Sequence, residues 1–336
     1  MNPSDWHPGK TGVVLGGGGC VGIIQLEALQ AIEENGIPIH YFSGGSVGAI
    51  NAAGFLQEGC SVRRLNRVWY FLKEPSEIFQ LRISSHVFKA LKGASWMDYA
   101  TMRVLKKIVQ AVFKAESIYR ADGVLRLIGN NIDTEKLFNQ PQQFFVTVTD
   151  DAKGKVVYFS KDDPEMRENP INFLLAIYAS CAIPGVLPKA VIRYHGELRT
   201  YIDGAYRRPL PIKKAIDDGC DTIIVIRCHS DKTLKPIPLE MASALSEGVG
   251  RLHHNVEKDE IKLMRERYPD KTIIAIEPEW LPDTLSTVSW KKGDFVKARK
   301  AIRPVVDREL APLIKYFKER RRAETAVDPS AGEGKE

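Results

Sequence analysis

Apolar positions along the chain fall into two alternating rhythms. Short, nearly continuous apolar runs at 11–16 (TGVVLG), 37–44 (IPIHYFSG), 143–150 (QFFVTVTD) and 155–160 (KVVYFS) read as strands. So do those at 198–203 (LRTYID), 221–228 (DTIIVIRC) and 271–278 (KTIIAIEP). Between them lie segments whose apolar residues recur every three or four positions. In 22–36 (GIIQLEALQAIEENG) they fall at 23, 24, 26, 29 and 32, and Gly36 supplies a stop. Further helices are predicted over 47–59, 169–180 (ended before Pro184), 209–219 and about 239–267. Strand–helix–strand alternation with strands apolar on both faces predicts an α/β fold, a mainly parallel sheet covered by helices on each side.

Two regions break the rhythm. Residues 61–114 hold eleven Lys and Arg against three acidic residues (Glu74, Glu77, Asp98), interleaved with aromatics such as Trp69, Tyr70, Phe71, Phe88, Trp96 and Phe113. This predicts a helical insertion over about 58–120, with either a solvated cationic face or an affinity for anionic membrane. The polar end, 323–336, is expected to be disordered, leaving one domain over 10–320. No internal repeat or dividing linker is present.

Composition narrows the classes. Forty-eight basic against 42 acidic residues give a formal charge of +6, too mild for non-specific nucleic-acid binding. Five cysteines without a CxxC pair suit reduced thiols better than a disulfide framework. No signal-peptide pattern opens the chain, and the longest apolar run, 173–183, is short of the ~18 residues a membrane span needs. A cytoplasmic protein with peripheral membrane contact is expected.

The chemistry concentrates in three stretches. Gly44-Gly45-Ser46-Val47-Gly48 stands where a strand becomes a helix and matches G-x-S-x-G, the sharp turn that exposes a nucleophilic serine. The competing reading makes Ser46 a simple helix cap. In the earlier turn, Gly17, Gly19 and Gly22 satisfy G-x-G-x-x-G. A dinucleotide-binding oxidoreductase, however, wants an acidic residue ending the second strand, and that strand ends HYFSGGS. A phosphate loop wants Lys-Ser/Thr where Ile23-Ile24 stand. The remaining role is a loop of bare amides that stabilises an oxyanion beside the serine. For the base, His229, after the strand DTIIVIRC, is the best of seven histidines, most of which read as surface residues. Asp203, in a strand-ending Asp-Gly, could take the serine proton directly, although Asp-Gly is also a common turn.

Taken in order, GGGGCVG at 16–22, GGSVG at 44–48 and DGA at 203–205, with ASCAIPGVLP before and RPLPIKKAIDDGCDTIIVI after the last, resemble the patatin-like phospholipase family over about residues 10–230. The resemblance implies a three-layer α/β/α fold and a Ser46–Asp203 dyad within the Gly44/Gly48 elbow and the Asp203-Gly204-Ala205 motif. It also implies an oxyanion hole from Gly17, Gly18 and Gly19. Acyl esters of phospholipids, lysophospholipids or neutral lipids would be substrates, with no cofactor, no metal and no set oligomeric state. One departure stands out. Val21 occupies a position where the family usually carries Arg or Lys, which makes a catalytically silent lipid-binding protein the main rival reading. Cys20 reads as a packed thiol rather than a second nucleophile.

Overall fold

A computed structural model describes residues 6–82, 116–234 and 241–327. Eight strands form one sheet: β1 (Thr11–Leu15), β2 (Tyr41–Gly44), β3 (Gln143–Asp150), β4 (Lys155–Ser160), β5 (Ala190–Tyr194), β6 (Glu197–Asp203), β7 (Thr222–Ile226) and β8 (Thr272–Ile276). Helices α1 (Gln25–Glu34), α2 (Val47–Leu56), α3 (Arg63–Phe71), α4 (Asp122–Asn131) and α5 (Thr134–Phe138) precede β3. Then come α6 (Pro164–Glu168), α7 (Pro170–Ala179), α8 (Ile212–Asp217), α9 (Met241–Arg267) and α10 (Asp294–Val327).

The strand order is β5-β6-β3-β2-β1-β7-β8, with β4 also on β3. β1 pairs in parallel with β2 and β7, β2 with β3, and β7 with β8, whereas β4 and β6 pair antiparallel with β3, and β5 antiparallel with β6. Side chains alternate across the sheet and are apolar on both faces, as helices on either side require. Val13, Leu15, Ile224 and Ile226 pack with α1, α2, α7 and α10. Val14, Ile223 and Val225 pack with α8 and α9 through Ile212, Ile261 and Met264. The fold is the predicted α/β class with a mostly parallel central sheet.

Two predicted boundaries shift. The glycine turn continues as a 3₁₀ segment over Gly19–Ile24, and α1 begins only at Gln25. Its start is pinned outward, because the Cys20 amide donates to the Thr287 carbonyl at 3.0 Å. At the other end α10 runs on to Val327, so the first residues of the tail expected to be disordered are helical; residues 328–336 lie outside the described part. Of the basic insertion, α3 and a short 3₁₀ turn at Pro75–Glu77 are described. Phe88, Trp96, Phe113 and the other residues of 83–115 are not among the described residues.

Candidate active site

The sheet register brings two distant motifs together. β2 lies along one edge of β3 and ends with Gly44 opposite Val146. β6 runs the opposite way along the same edge and ends with Asp203 opposite Val148, about 7 Å farther on. β4 occupies the other edge, since it pairs over Phe145–Asp150 and overlaps both. The tips of β2 and β6 therefore face each other, and Ser46, two residues past the end of β2, and Asp203, the last residue of β6, line one small cavity with Gly17 and Gly18. Among the described residues no hydrogen bond joins the Ser46 hydroxyl to the Asp203 carboxylate.

Ser46 occupies the N-terminal end of α2 with φ 54° and ψ −133°, a left-handed conformation that L residues adopt only under constraint. Its side chain makes no capping bond to the helix, which removes the simple-cap reading. Space explains the flanking glycine: a Cβ on Gly48 would stand 2.3 Å from the Leu15 carbonyl oxygen. Gly44, the last residue of β2, completes the turn. Ser46, 7% exposed as a residue, thus sits at the positive end of a ten-residue helix, where developing negative charge is favoured.

The glycine loop faces the same point. Amides on either side are committed, Gly16 to the Ile226 carbonyl (2.9 Å) and Cys20 to that of Thr287 (3.0 Å). Those of Gly17, Gly18 and Gly19 donate to no carbonyl among the described residues. Gly19 has φ +55°, and a Cβ there would meet the Thr287 carbonyl at 2.0 Å. The loop is held from behind by a buried polar chain that the sequence reading missed. Gln25 Nε2 donates to the Gly16 carbonyl at 2.7 Å. Asn51 Nδ2 donates to Gln25 Oε1 (2.9 Å) and to the Gly22 carbonyl (3.0 Å), while Trp69 Nε1 donates to Asn51 Oδ1 at 3.1 Å. Fully amidated side chains at the buried positions Gln25 and Asn51 of two otherwise apolar helix faces were the available signal. Val21 is wholly buried in the core cluster, so its side chain points into packing. Cys20 is likewise buried, and burial pushes its thiol well above the ordinary range, away from nucleophile chemistry.

Asp203 is 2% exposed. Its Oδ1 accepts the Ala205 amide at 2.7 Å, across the turn that begins at Gly204, and its second oxygen takes no hydrogen bond from the described residues. Burial lifts its carboxyl to about 7, partly offset by that amide. Cys181 lies beside both Ser46 and Asp203, its thiol pushed up to about 12, chiefly by burial and then by the Asp203 charge.

The histidines need correction. His229 lines the cavity and packs on the loop, 3.6 Å from where a Cβ on Gly18 would be. His253 and His254, in a polar helical stretch of the sequence, turn inward on α9. His253 lines the cavity, and burial pulls its imidazole down to about 4, so it is neutral near pH 7. His254 is 1% exposed; Arg227 Nη2 donates to its Nδ1, and its Nε2 donates to Asp231 Oδ1, each at 2.8 Å. Two ion pairs carry α9 over the site: Arg227–Glu257 at 3.1 Å and Arg208–Glu260 at 2.9 Å. Burial raises both carboxyls to about 7.

Away from the Gly17 and Gly18 side of Ser46 lies an apolar chamber. Ile50, Leu65, Trp69, Val124, Val186 and Leu187 form much of its wall. The hydroxyl is thus the junction between an amide- and carboxylate-lined cavity and an apolar chamber.

Comparison with known proteins agrees with the motifs. The patatin-like phospholipase family model matches residues 13–216, a span that includes the glycine loop, Ser46 and Asp203. An NTE family protein of Mycobacterium tuberculosis is 23% identical over 227 residues, covering 66% of this chain and 50% of that protein. A lysophospholipase of Aspergillus terreus is 43% identical over 62 residues, 18% of this chain and 4% of that one. Among solved structures, VipD from Legionella pneumophila aligns with a TM-score of 0.49 at 13% identity, covering 91% of this chain and 67% of VipD. The chain therefore spans about half the length of the mycobacterial relative and a small part of the fungal one. With a family model covering more than half its length, this chain belongs to the patatin-like phospholipase family.

Proposed function

We propose that the protein is a serine acyl hydrolase that cleaves fatty-acyl esters of phospholipids or lysophospholipids. Ser46 Oγ attacks the ester carbonyl while the Asp203 carboxylate takes its proton. The developing oxyanion is held by the amides of Gly17, Gly18 and Gly19, which need no reorganisation as charge appears. The acyl chain lies in the apolar chamber, and the alcohol, protonated by Asp203, leaves through the polar cavity. Water entering there gives a proton to Asp203 as it attacks the acyl-enzyme, and Asp203 returns the proton to Ser46 Oγ as the fatty acid leaves. In the free protein the Ser46–Asp203 contact is unmade, and substrate closes it, as catalytic hydrogen bonds often tighten only in the complex. The observation that carries this reading is the strained, non-capping Ser46 at the junction of the two compartments.

The described part of the basic insertion supports membrane contact in the same reading. On α3, Leu65 and Trp69 face the chamber while Tyr70 (82% exposed) and Phe71 (63%) project outward with Arg63 and Arg67. Aromatic and guanidinium groups together favour an anionic lipid interface at the chamber wall.

A fluorophosphonate probe should label the wild-type protein and not Ser46→Ala, and an acyl-ester panel should show turnover with the same dependence. A folded wild type that sediments with liposomes yet resists the probe would instead make it a silent lipid-binding protein. Sedimentation with anionic liposomes should weaken in high salt and in Tyr70→Ala/Phe71→Ala.

A further inference from the structure

The chamber has a direction and a length. The α2 residues on its wall are Val47, Ile50, Gly54 and Gln57 at the helix's C-terminal cap, spaced to lie along one stripe of the helix, with Ser46 at the head of the stripe. From Ser46 to Gln57 a helix rises about 16 Å. An extended hydrocarbon zigzag with bonds of ~1.5 Å advances about 1.25 Å per carbon, so about a dozen carbons reach the far end.

That end is built of polar groups already in use. Gln57 Nε2 donates to the Asn131 carbonyl at 2.7 Å and Gln57 Oε1 accepts the Asp133 amide at 2.6 Å. Arg64 donates to the Asn130 carbonyl at 3.3 Å. Arg64, Val68, Leu72, Leu127 and Asn131 also line the next hollow, a mixed one completed by Arg67, Glu77 and Phe71. A longer chain must therefore pass the Gln57 and Asn131 amides and the Arg64 guanidinium to go on, a desolvation cost that offsets the burial available beyond them.

Gly54 stands eight residues along the stripe from Ser46, about 12 Å, or nine to ten carbons, from the nucleophile. A Cβ there would lie 2.5 Å from Leu65 Cδ2, so any larger residue drives Leu65 into the chamber or fills it directly.

From this geometry we propose that α2 is an acyl ruler: the site selects medium-length acyl chains of about twelve carbons, and Gly54, against Leu65, sets the limit. This rests on the acyl-hydrolase reading. Each buried methylene should raise kcat/KM about fourfold until the chamber is filled, and not beyond.

The test uses p-nitrophenyl esters from butyrate to palmitate, each below its aggregation concentration. For the wild type, kcat/KM should climb to about the dodecanoate and then stop rising. In Gly54→Val the climb should stop near the octanoate, so the dodecanoate-to-butyrate ratio falls about 250-fold. Adding Leu65→Ala to Gly54→Val should restore the longer chains, which a merely damaged fold cannot do. A wild-type profile still rising at palmitate, or a folded Gly54→Val with the wild-type ratio, overturns the ruler. Quenching of Trp69 by brominated fatty acids in Ser46→Ala keeps the two ideas apart. A chain-length limit in binding with no turnover in the wild type would sink the hydrolase and spare the ruler; turnover with no limit in either measurement would do the reverse.

Discussion

The two compartments that meet at Ser46 are built by different means. The polar cavity is made of strand ends and bare backbone: the tips of β2 and β6, the Gly17–Gly19 amides, and a carboxylate set by the register of β3. The apolar chamber is made of side chains on α2, α3 and α4 and the segment after α7. Backbone placed by a sheet cannot move far without breaking ladder hydrogen bonds, whereas helix side chains can be exchanged one at a time. The difference assigns separate duties: changes on the cavity side should act on the chemical step, and changes on the chamber side on which chain is accepted.

The sharpest break would come from Asp203. Asp203→Asn should lower kcat by about 10³-fold or more, since the proton acceptor of the proposed mechanism is gone while the shape is kept. The same change should stabilise the fold. Burial holds the Asp203 carboxyl at about 7, above its unfolded value of 3.8. The native state therefore binds more protons than the unfolded state between those pH values, and stability falls as pH rises through that window. Asparagine escapes the penalty, so its melting temperature relative to wild type should be higher at pH 8 than at pH 4. A variant that loses activity and stability together would make Asp203 a structural residue.

Next comes the loop. A Cβ on Gly18 would stand 2.4 Å from Cys228 Cβ, so Gly18→Ala must shift the amides from the oxyanion position proposed for them. A kcat loss of about 10²-fold is expected with KM nearly constant, the size of one lost oxyanion donor. Unchanged kcat would remove the glycine loop from the chemistry. Below pH 7 the wild-type kcat/KM should fall about tenfold per unit as Asp203 takes up its proton. On the other side, Leu187→Ser places a hydroxyl in the chamber wall and should cost about tenfold in kcat/KM, confined to long-chain esters. Equal loss on butyrate and dodecanoate would mean the two compartments are not separate.

This division also explains what the sequence revealed. Gly17–Gly19, Gly44, Ser46, Gly48 and Asp203-Gly204-Ala205 were legible because backbone geometry restricts residue type, and a restricted type leaves a motif. The alternating strands were legible because a sheet buried on both faces must be apolar throughout. The chamber left no motif, because any apolar residue serves at Leu65, Val124 or Leu187. Least legible was α9, whose Glu257, Glu260, His253 and His254 have the composition of a solvated face. Glu257, Glu260 and His254 are buried because Arg227 and Arg208, distant in sequence, meet them. Arg227, a charge ending the apolar run TIIVI, was the clue that something acidic must cross there.

The smallest expected effect discriminates most finely. His253 and His229 share the cavity with Ser46 and Asp203, so a histidine could in principle replace the carboxylate as base. Burial argues otherwise for His253, whose imidazole, held down to about 4, is a weak proton acceptor at neutral pH. A carboxylate raised to about 7 is the better matched base. His253→Gln keeps a hydrogen-bonding side chain of similar reach without the titrating ring, and should cost no more than about fivefold in kcat. The fall in kcat/KM below pH 7 should remain, because it belongs to Asp203. A loss beyond about 100-fold together with the disappearance of that limb would transfer the proton to the histidine, and the cavity would then depend on α9 as much as on the strand ends.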